Sequence, residues 1–411
     1  MWQLLADPGP DAEGAKRAQL AAALRDSSDP RAVEVLLETL AQPMERQPTV
    51  VHRQAVTSLG ALRVKEAVDP ILVALFTIPD APTTTSLAER AKVAIASIGD
   101  GAVPSLVAML KGEHPGVRAQ AEANGVPEEV VRVTAASMLA AFDHPNATAA
   151  LLEQLEAESC VGDSQSGRSV LTNVLGHIGH AAAAPAICRC LADDHDPGTA
   201  FVAAEALGFI GGPEATTCLV EAVKTGSYDP EIVDEEVVYE LRWEAVRFAA
   251  LAGGAAAVPK IRSALARNRD ATVKKKAGAF APMLDMLERC NDEAQCLDAV
   301  LADPDADPFA REAAAHVRSR QDPESAELAL VIGRAFAIPD PDVRVSVAIL
   351  TRRVAPAHGC TPCGEALRDV MEREKAGMPV IMQASVLAAR TTMAVVSEDP
   401  ALVPFVLPAA P

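Results

Sequence analysis

The chain has 411 residues, of which 49% are hydrophobic and only 3% aromatic, and its formal net charge is -19. This length exceeds what one ordinary globular core spans, and the apolar fraction excludes intrinsic disorder, so we expect several domains or a repeat array. The strong negative charge repels phosphate backbones and anionic lipids, and the sequence therefore predicts no nucleic-acid partner.

The two ends of the chain are predicted to lie outside the fold. Residues 1–14 are polar and rich in proline and glycine, so we expect a lead-in without a helix and without an export signal at Met1. No transmembrane segment is predicted, because the longest uncharged run, 169–188, is interrupted by Asn173, two histidines and Pro185. Residues 15–394 then form the fold, and residues 395–411 form a C-terminal tail.

A short apolar string that ends in Leu-Gly or Ile-Gly recurs along the chain. The string ends at Gly60, Gly99, Gly176 and Gly208. Consecutive members of this series are separated by 39, 77 and 32 residues. Such spacing is typical of two-helix repeats. A second string follows several of them, and its prolines fit the first turn of a helix: Pro70, Pro104 and Pro259. Each unit is predicted to be a helix, a tight turn at a left-handed glycine, and a second helix.

Asp-Pro pairs predict further helix starts, because aspartate is a good N-cap and proline a good first helical residue. They occur at positions 29–30, 196–197, 303–304, 307–308, 322–323 and 340–341. Three stretches interrupt the repeat and are predicted to be loops: residues 79–86, 112–127 and 226–236. In repeat arrays such insertions often carry binding sites, although each alone also fits a tolerated surface loop.

The two recurring strings resemble HEAT repeats, in particular the short bacterial type that is also seen in phycobilin lyase subunits. The resemblance is carried by Val51, Arg53, Ala55, Leu59 and Gly60 in the first string and by Ala102, Val103, Pro104, Leu106 and Leu110 in the second. It implies an all-α, superhelical solenoid of about ten two-helix repeats across residues 15–394. It also implies a scaffold role, with a lyase-like accessory subunit as a weaker analogy.

Eight cysteines suggest disulfides. Cys290 and Cys296 flank one predicted loop, and Cys360 and Cys363 flank another, so each pair can reach disulfide geometry without moving the scaffold. The sequence leaves open three pairings among the remaining four, Cys160, Cys188, Cys190 and Cys218. Disulfides predict an oxidising compartment, so we expect a periplasmic or otherwise extracytoplasmic bacterial protein. Buried free thiols in a cytoplasmic protein are the alternative.

Other chemistry finds less support in the sequence. Cys360-Thr-Pro-Cys363 has the spacing of a redox motif but lacks the strand context of one, and four cysteines could alternatively bind zinc. His177 and His180, near Asp193–Asp196, straddle a predicted turn, where histidines are usually structural. No P-loop, dinucleotide or nucleophile-elbow motif is present. We therefore expect a non-catalytic protein with no cofactor and no metal.

The most informative segment is a predicted helix over residues 230–252. Its core stripe is Leu241, Ala245, Phe248 and Ala252, and a helical wheel places Tyr239, Trp243 and Arg247 together on the opposite side. Aromatic residues and arginine are the preferred anchors of protein interfaces. With the acidic residues nearby, the predicted partner-binding set for a protein or peptide, expected to be basic, is Tyr228, Glu235, Glu236, Tyr239, Trp243 and Arg247. Contact with a neighbouring repeat is the alternative for this face.

Overall fold

The computed structural model describes residues 14–323 except 44–45, 78–85, 143, 159–166, 194–196 and 226–234, together with residues 325, 328, 340, 343, 346, 347, 349 and 350. Helices are the only regular structure in this part of the chain. The predicted lead-in and tail, residues 1–13 and 395–411, lie outside it. The chain divides into two compact units between Ala150 and Leu151, and each is described by itself.

Among the described residues, the helices of the first unit form four pairs, and one further helix is inserted between the third and fourth pairs. The helices are α1 (Ala15–Ala23), α2 (Arg31–Ala41), α3 (Thr49–Ala61), α4 (Val68–Thr77), α5 (Leu87–Ile98), α6 (Val103–Leu110), α7 (Pro115–Ala123) and α8 (Glu128–Leu139), with α9 (Pro145–Ala157) crossing the boundary. First helices pack side by side, α1 on α3 and α3 on α5, and the second helices α2 and α4 do the same. The fully buried core between the two rows includes Leu36, Leu59, Ile71, Leu72 and Leu106.

The second unit repeats this arrangement. It contains α10 (Gly167–Ile178), α11 (Ala184–Asp193), α12 (Pro197–Ile210), α13 (Gly212–Thr225), α14 (Glu235–Gly253), α15 (Val258–Arg267), α16 (Ala271–Ala277), α17 (Ala281–Cys290), α18 (Ala294–Ala302) and α19 (Pro308–Gln321). First helices again stack in a row, α10 on α12 and α12 on α14, while α11, α13 and α15 form the second row. The all-α solenoid predicted from the repeat spacing is confirmed.

Helix starts follow the predicted signals in most places. Pro104 and Pro259 lie in the first turns of α6 and α15. The Asp307 carboxylate accepts a hydrogen bond from the Ala310 N–H at 3.0 Å and caps α19, which begins at Pro308. Asp303-Pro304 differs from this pattern, because it lies in the turn between α18 and α19, and Asp322 ends α19 instead of beginning a helix. The start of α19 needs only one capping aspartate, and Asp307 of the next Asp-Pro pair already fills this position.

The predicted loop over residues 112–127 is wrong, because this segment contains α7. His114 caps the helix by accepting a hydrogen bond from the Val117 N–H at 3.2 Å. Val117 and Ala121 are buried, and α7 packs against α4. The helix was not predicted because most residues of the segment are polar. Only two apolar side chains, Val117 and Ala121, form its buried face, which is too few to show a helical period in the sequence. The other two predicted loops fall largely outside the described residues.

The recurring glycines have a different role from the predicted one. Gly99 does follow the end of α5 with a positive φ of 86°, but its ψ of -161° differs from the predicted left-handed helical conformation. Gly60 and Gly176, however, lie inside α3 and α10, where they allow the next first helix to approach closely. A Cβ atom on Gly60 would lie 2.5 Å from the Ala94 Cα atom, and one on Gly176 would lie 2.6 Å from the Ala206 Cβ atom. The Leu-Gly string therefore marks contacts between repeats rather than turns within them.

Replacing Gly60 with alanine should lower the free energy of unfolding by about 1–3 kcal/mol, because the added methyl group forces α3 and α5 apart. Urea denaturation followed by circular dichroism measures the change. The control is Gly278→Ala: Gly278 has helical dihedral angles and open space around its Cβ position, so this change should be neutral or slightly stabilising. Equal effects of the two substitutions would contradict the close-contact role.

Candidate partner-binding surface

The predicted core stripe of the long helix α14 is confirmed. Leu241, Ala245, Phe248 and Ala252 are all buried. Trp243 lies outside this stripe and is half-buried. The side chains of Glu235, Glu236 and Tyr239, at the start of α14, and the whole of Tyr228 lie outside the described residues, so their part in a partner site stays a prediction.

Trp243 contacts a lysine of the next repeat. The Lys276 Nζ atom lies 5.3 Å from the centroid of the Trp243 ring, which is within the range of a cation–π interaction. The neighbouring Arg242 guanidinium lies 3.6 Å from the Asp270 carboxylate, at the start of α16. These two contacts join α14 to α16 and leave part of the indole ring open to solvent. Trp243 thus both touches the neighbouring repeat and remains available to a partner.

The helix that contacts Trp243 carries a run of basic residues although the chain is strongly acidic. Lys274, Lys275 and Lys276 are exposed, because the buried face of α16 is formed by Val273 and Ala277. Arg269, in the turn before α16, is also exposed. We call Trp243, Arg269 and these three lysines the Trp243 surface. The sequence alone does not show that Lys276 lies beside Trp243, because their proximity depends on the packing of α14 against α16.

The predicted position of Arg247 on the same exposed line as Trp243 is corrected by the structure. Arg247 is buried, and its Nε and Nη2 atoms donate hydrogen bonds to the two carboxylate oxygens of Glu312, both at 2.7 Å. The guanidinium also lies 5.3 Å from the centroid of the Phe309 ring. Both residues belong to α19, which packs on α14. A helical wheel predicts correctly that Arg247 lies opposite the core stripe, but it cannot show that a second helix, α19, covers that side of α14.

Charge neutralisation keeps Arg247 ionised inside the protein. Burial, the largest single influence, lowers the pKa of Arg247, but the carboxylates of Glu312, Glu244 and Glu205 together raise it above its ordinary value. The Glu244 carboxylate lies 3.4 Å from the Nη1 atom of Arg247, and Glu312 is fully buried. Arg247 is therefore part of the interior that holds α14 in place, not part of the partner surface.

Two cysteine pairs lie at disulfide distance in the described residues. Cys290 and Cys296 pair across the turn between α17 and α18, as predicted, with their Cα atoms 5.4 Å apart. Cys188 and Cys218 pair across consecutive repeats, joining α11 to α13, with Cα atoms 5.9 Å apart. This selects one partner for Cys188 among the pairings that the sequence left open.

The remaining cysteines involve residues outside the described part. Cys190 is also disulfide-bonded, and no described cysteine is free. Cys160, Cys360 and Cys363 lie outside the described residues. The thiol-redox alternative, which depends on Cys360 and Cys363, stays a prediction. Counting thiols under denaturing, non-reducing conditions tests it.

One of the two histidines considered as metal ligands, His177, lies beside an aromatic side chain. The His177 ring lies 5.9 Å from the Phe209 ring, centroid to centroid, at the end of α10. Within the described residues, no group of three His, Cys, Asp or Glu side chains is arranged to hold a metal ion.

No single helix among the described residues is long and apolar enough to span a bilayer. Two consecutive helical segments, residues 90–98 and 100–110, meet the length and apolarity criteria only when taken together, and they are bent by 107° relative to each other.

One segment of the chain matches a known protein family. Residues 161–238 match the family of HEAT repeats, and this segment spans helices α10 to α13 and the start of α14. No curated protein is significantly similar to the chain. Within the first unit, the helix pairs also stack in two rows, and Gly60 makes the same kind of close contact between first helices as Gly176 does in the matched segment. Residues 161–238 are therefore similar to HEAT repeats, within a longer stack of helix pairs.

Proposed function

We propose that this chain is a non-catalytic scaffold that binds a protein or peptide partner, and that the Trp243 surface is part of the binding site. HEAT repeats are commonly scaffolds for protein interactions, which supports the general role. The observation that carries the specific proposal is Trp243. It is a large aromatic side chain, half-buried, in a chain with only two tryptophans, and it lies between repeats rather than within the core.

The contacts of Trp243 suit an anchor residue. Residues that contribute most to binding are typically large aromatic side chains, held in place before the partner arrives. Lys276 packs over one side of the indole ring and holds it in position, so little conformational entropy is lost on binding. The exposed lysines favour a partner segment with carboxylates at this surface. The prediction of a basic partner depends instead on the acidic residues at the start of α14, and their side chains lie outside the described residues.

An extracytoplasmic location is the second part of the proposal. It is supported by the cysteine pairs at disulfide distance and by the lack of a free thiol among the described residues, because disulfides persist mainly in oxidising compartments. Fractionation of the source cells, followed by detection of the chain in the periplasmic or surface fraction, tests this part separately. Recovery of the chain in the reducing cytoplasm with free thiols would contradict it.

The binding site is tested by affinity capture from an extract of the source organism with purified variants. Trp243→Ala should reduce recovery of the captured partner by at least about tenfold, the loss expected for an anchor residue. Lys275→Glu should also reduce it, because Lys275 points away from the core of α16. The control is Lys65→Glu, an equal charge change at an exposed position in the first unit. If a specific partner is recovered equally by all three variants, the Trp243 surface is not its site.

A further inference from the structure

The inserted helix α7 lies along α4 and is attached to it near both of its ends. Close to the start of α7, the His114 Nε2 atom lies 3.2 Å from the Asp69 carboxylate. Just after the end of α7, the Asn124 Nδ2 atom donates a hydrogen bond to the Phe76 carbonyl at 2.9 Å. This carbonyl lies in the last turn of α4, where a helix offers it no partner of its own. Between these two contacts, α7 covers one side of α4.

The contact between His114 and Asp69 fixes the protonation of the imidazole ring. The His114 Nδ1 atom accepts a hydrogen bond from the Val117 N–H, so the Nε2 atom carries the proton and donates it to Asp69. The Asp69 Oδ1 atom also accepts a hydrogen bond from the Ser105 Oγ atom at 2.7 Å. However, the Asp69 side chain is 62% exposed. Water competes for a hydrogen bond at such a place, so this contact stabilises the closed position of α7 only slightly.

The buried part of the contact is small. The helix α7 buries two of its nine residues, Val117 and Ala121, whereas α3 buries nine of its thirteen. A Cβ atom on Gly116 would lie 3.1 Å from the Val73 Cγ2 atom, so α7 meets Val73 at a residue without a side chain. The contact therefore removes little apolar surface from water. A helix of nine residues is not stable alone in water, so α7 stays helical only while these contacts hold.

Both ends of α7 are built for a change of backbone direction. Gly112 precedes the helix with φ 71°, and Gly125 follows it with φ 65°. Glycine adopts positive and negative φ with similar ease, so both positions can change conformation without strain. The first helices α1, α3 and α5 pack directly on one another, and this row does not depend on α7. The inserted helix can thus move while the row of first helices stays packed.

We propose that α7 is a strap that opens from α4 as a unit while the repeats of the first unit stay folded. The closed position covers a strip of α4 that contains Asp69, Val73 and Phe76, whose spacings of four and three residues place them on one side of the helix. Opening exposes this strip, so α7 controls access to it. Local opening is expected where few apolar side chains are buried and hydrogen bonds are exposed to water. This opening does not depend on the Trp243 surface or on its partner.

Native-state hydrogen exchange of the full chain, with its disulfides intact, tests the proposal. The amides of α7 should exchange at least about a hundredfold faster than those of α3, relative to their intrinsic rates, because local opening requires less free energy than global unfolding. Their exchange should also change little at low urea concentrations, since the opening exposes little surface. Equal exchange of α7 and α3, with equal dependence on urea, would overturn the proposal, because α7 would then open only together with the whole unit.

Trypsin cleavage after Arg118 measures the same opening in variants, because this exposed arginine lies within α7. Asn124→Asp replaces an amide donor by a carboxylate that faces the Phe76 and Gln120 carbonyls, so cleavage should become about tenfold faster. The control is Gln120→Glu, which adds the same charge to α7 and leaves the Asn124 amide in place. It should change the rate by less than about twofold. Equal acceleration by both variants, or none by Asn124→Asp, would also overturn the proposal.

Discussion

Replacing Glu312 with glutamine should lower the free energy of unfolding by about 3–5 kcal/mol, because the substitution leaves the buried Arg247 guanidinium without its main counter-charge. Glu312 is fully buried and accepts both strong hydrogen bonds of Arg247, each 2.7 Å long. Glutamine has nearly the same shape, so the loss measures charge pairing and not a cavity. Urea denaturation followed by the fluorescence of Trp243, which lies on the same helix as Arg247, measures the change.

Two further variants separate this pair from ion pairs in general. Arg262→Gln removes a guanidinium that is 45% exposed and pairs with Asp285, and it should cost less than about 1 kcal/mol. The double variant Arg247→Met with Glu312→Leu removes both charges and should recover most of the stability lost in Glu312→Gln, because no unpaired charge remains buried. A loss in Glu312→Gln no larger than that in Arg262→Gln would show that the pair does not hold α19 on α14.

The sequence predicts those parts of this fold that depend on neighbouring residues. Proline in the first turn of α6 and α15, and aspartate before α19, are local signals, and they lie at helix starts as predicted. The core stripe of α14 depends only on the helical period, and its four members are buried. The pairing of Cys290 with Cys296 follows from a separation of six residues across a turn.

Features that need two distant segments could not be predicted in this way. Arg247 and Glu312 are 65 residues apart, and no periodicity in α14 indicates that α19 covers its side. The Lys276 contact with Trp243 likewise requires α14 and α16 to be placed together. Gly60 shows the same limit, because Leu-Gly fits both a helix end and a close contact, and the backbone of α5 decides between them. The sequence thus wrongly placed Arg247 on an exposed side of α14 and did not show the lysine beside Trp243, and the partner site itself stays a prediction.

Reduction of the Cys188–Cys218 disulfide should have the second largest effect on stability, a loss of about 3–4 kcal/mol by the chain-entropy relation for a loop of this length. The bond joins α11 to α13 and closes a segment with a sequence separation of 30 residues. The variant Cys188→Ala with Cys218→Ala tests it without a reductant. Both cysteines are half-buried, so the alanines leave little empty space in the core. The measurement is urea denaturation under oxidising conditions.

The matched control is Cys290→Ala with Cys296→Ala, whose disulfide closes a separation of only six residues. The same relation gives about 2 kcal/mol for this shorter loop, so the control should be the milder change, although Cys290 is buried and its replacement adds a small packing loss. The order of the two effects is the decisive result. If Cys188–Cys218 contributes less than Cys290–Cys296, neighbouring repeats are already held together without the covalent link. The disulfide would then contribute little to the packing of α11 against α13.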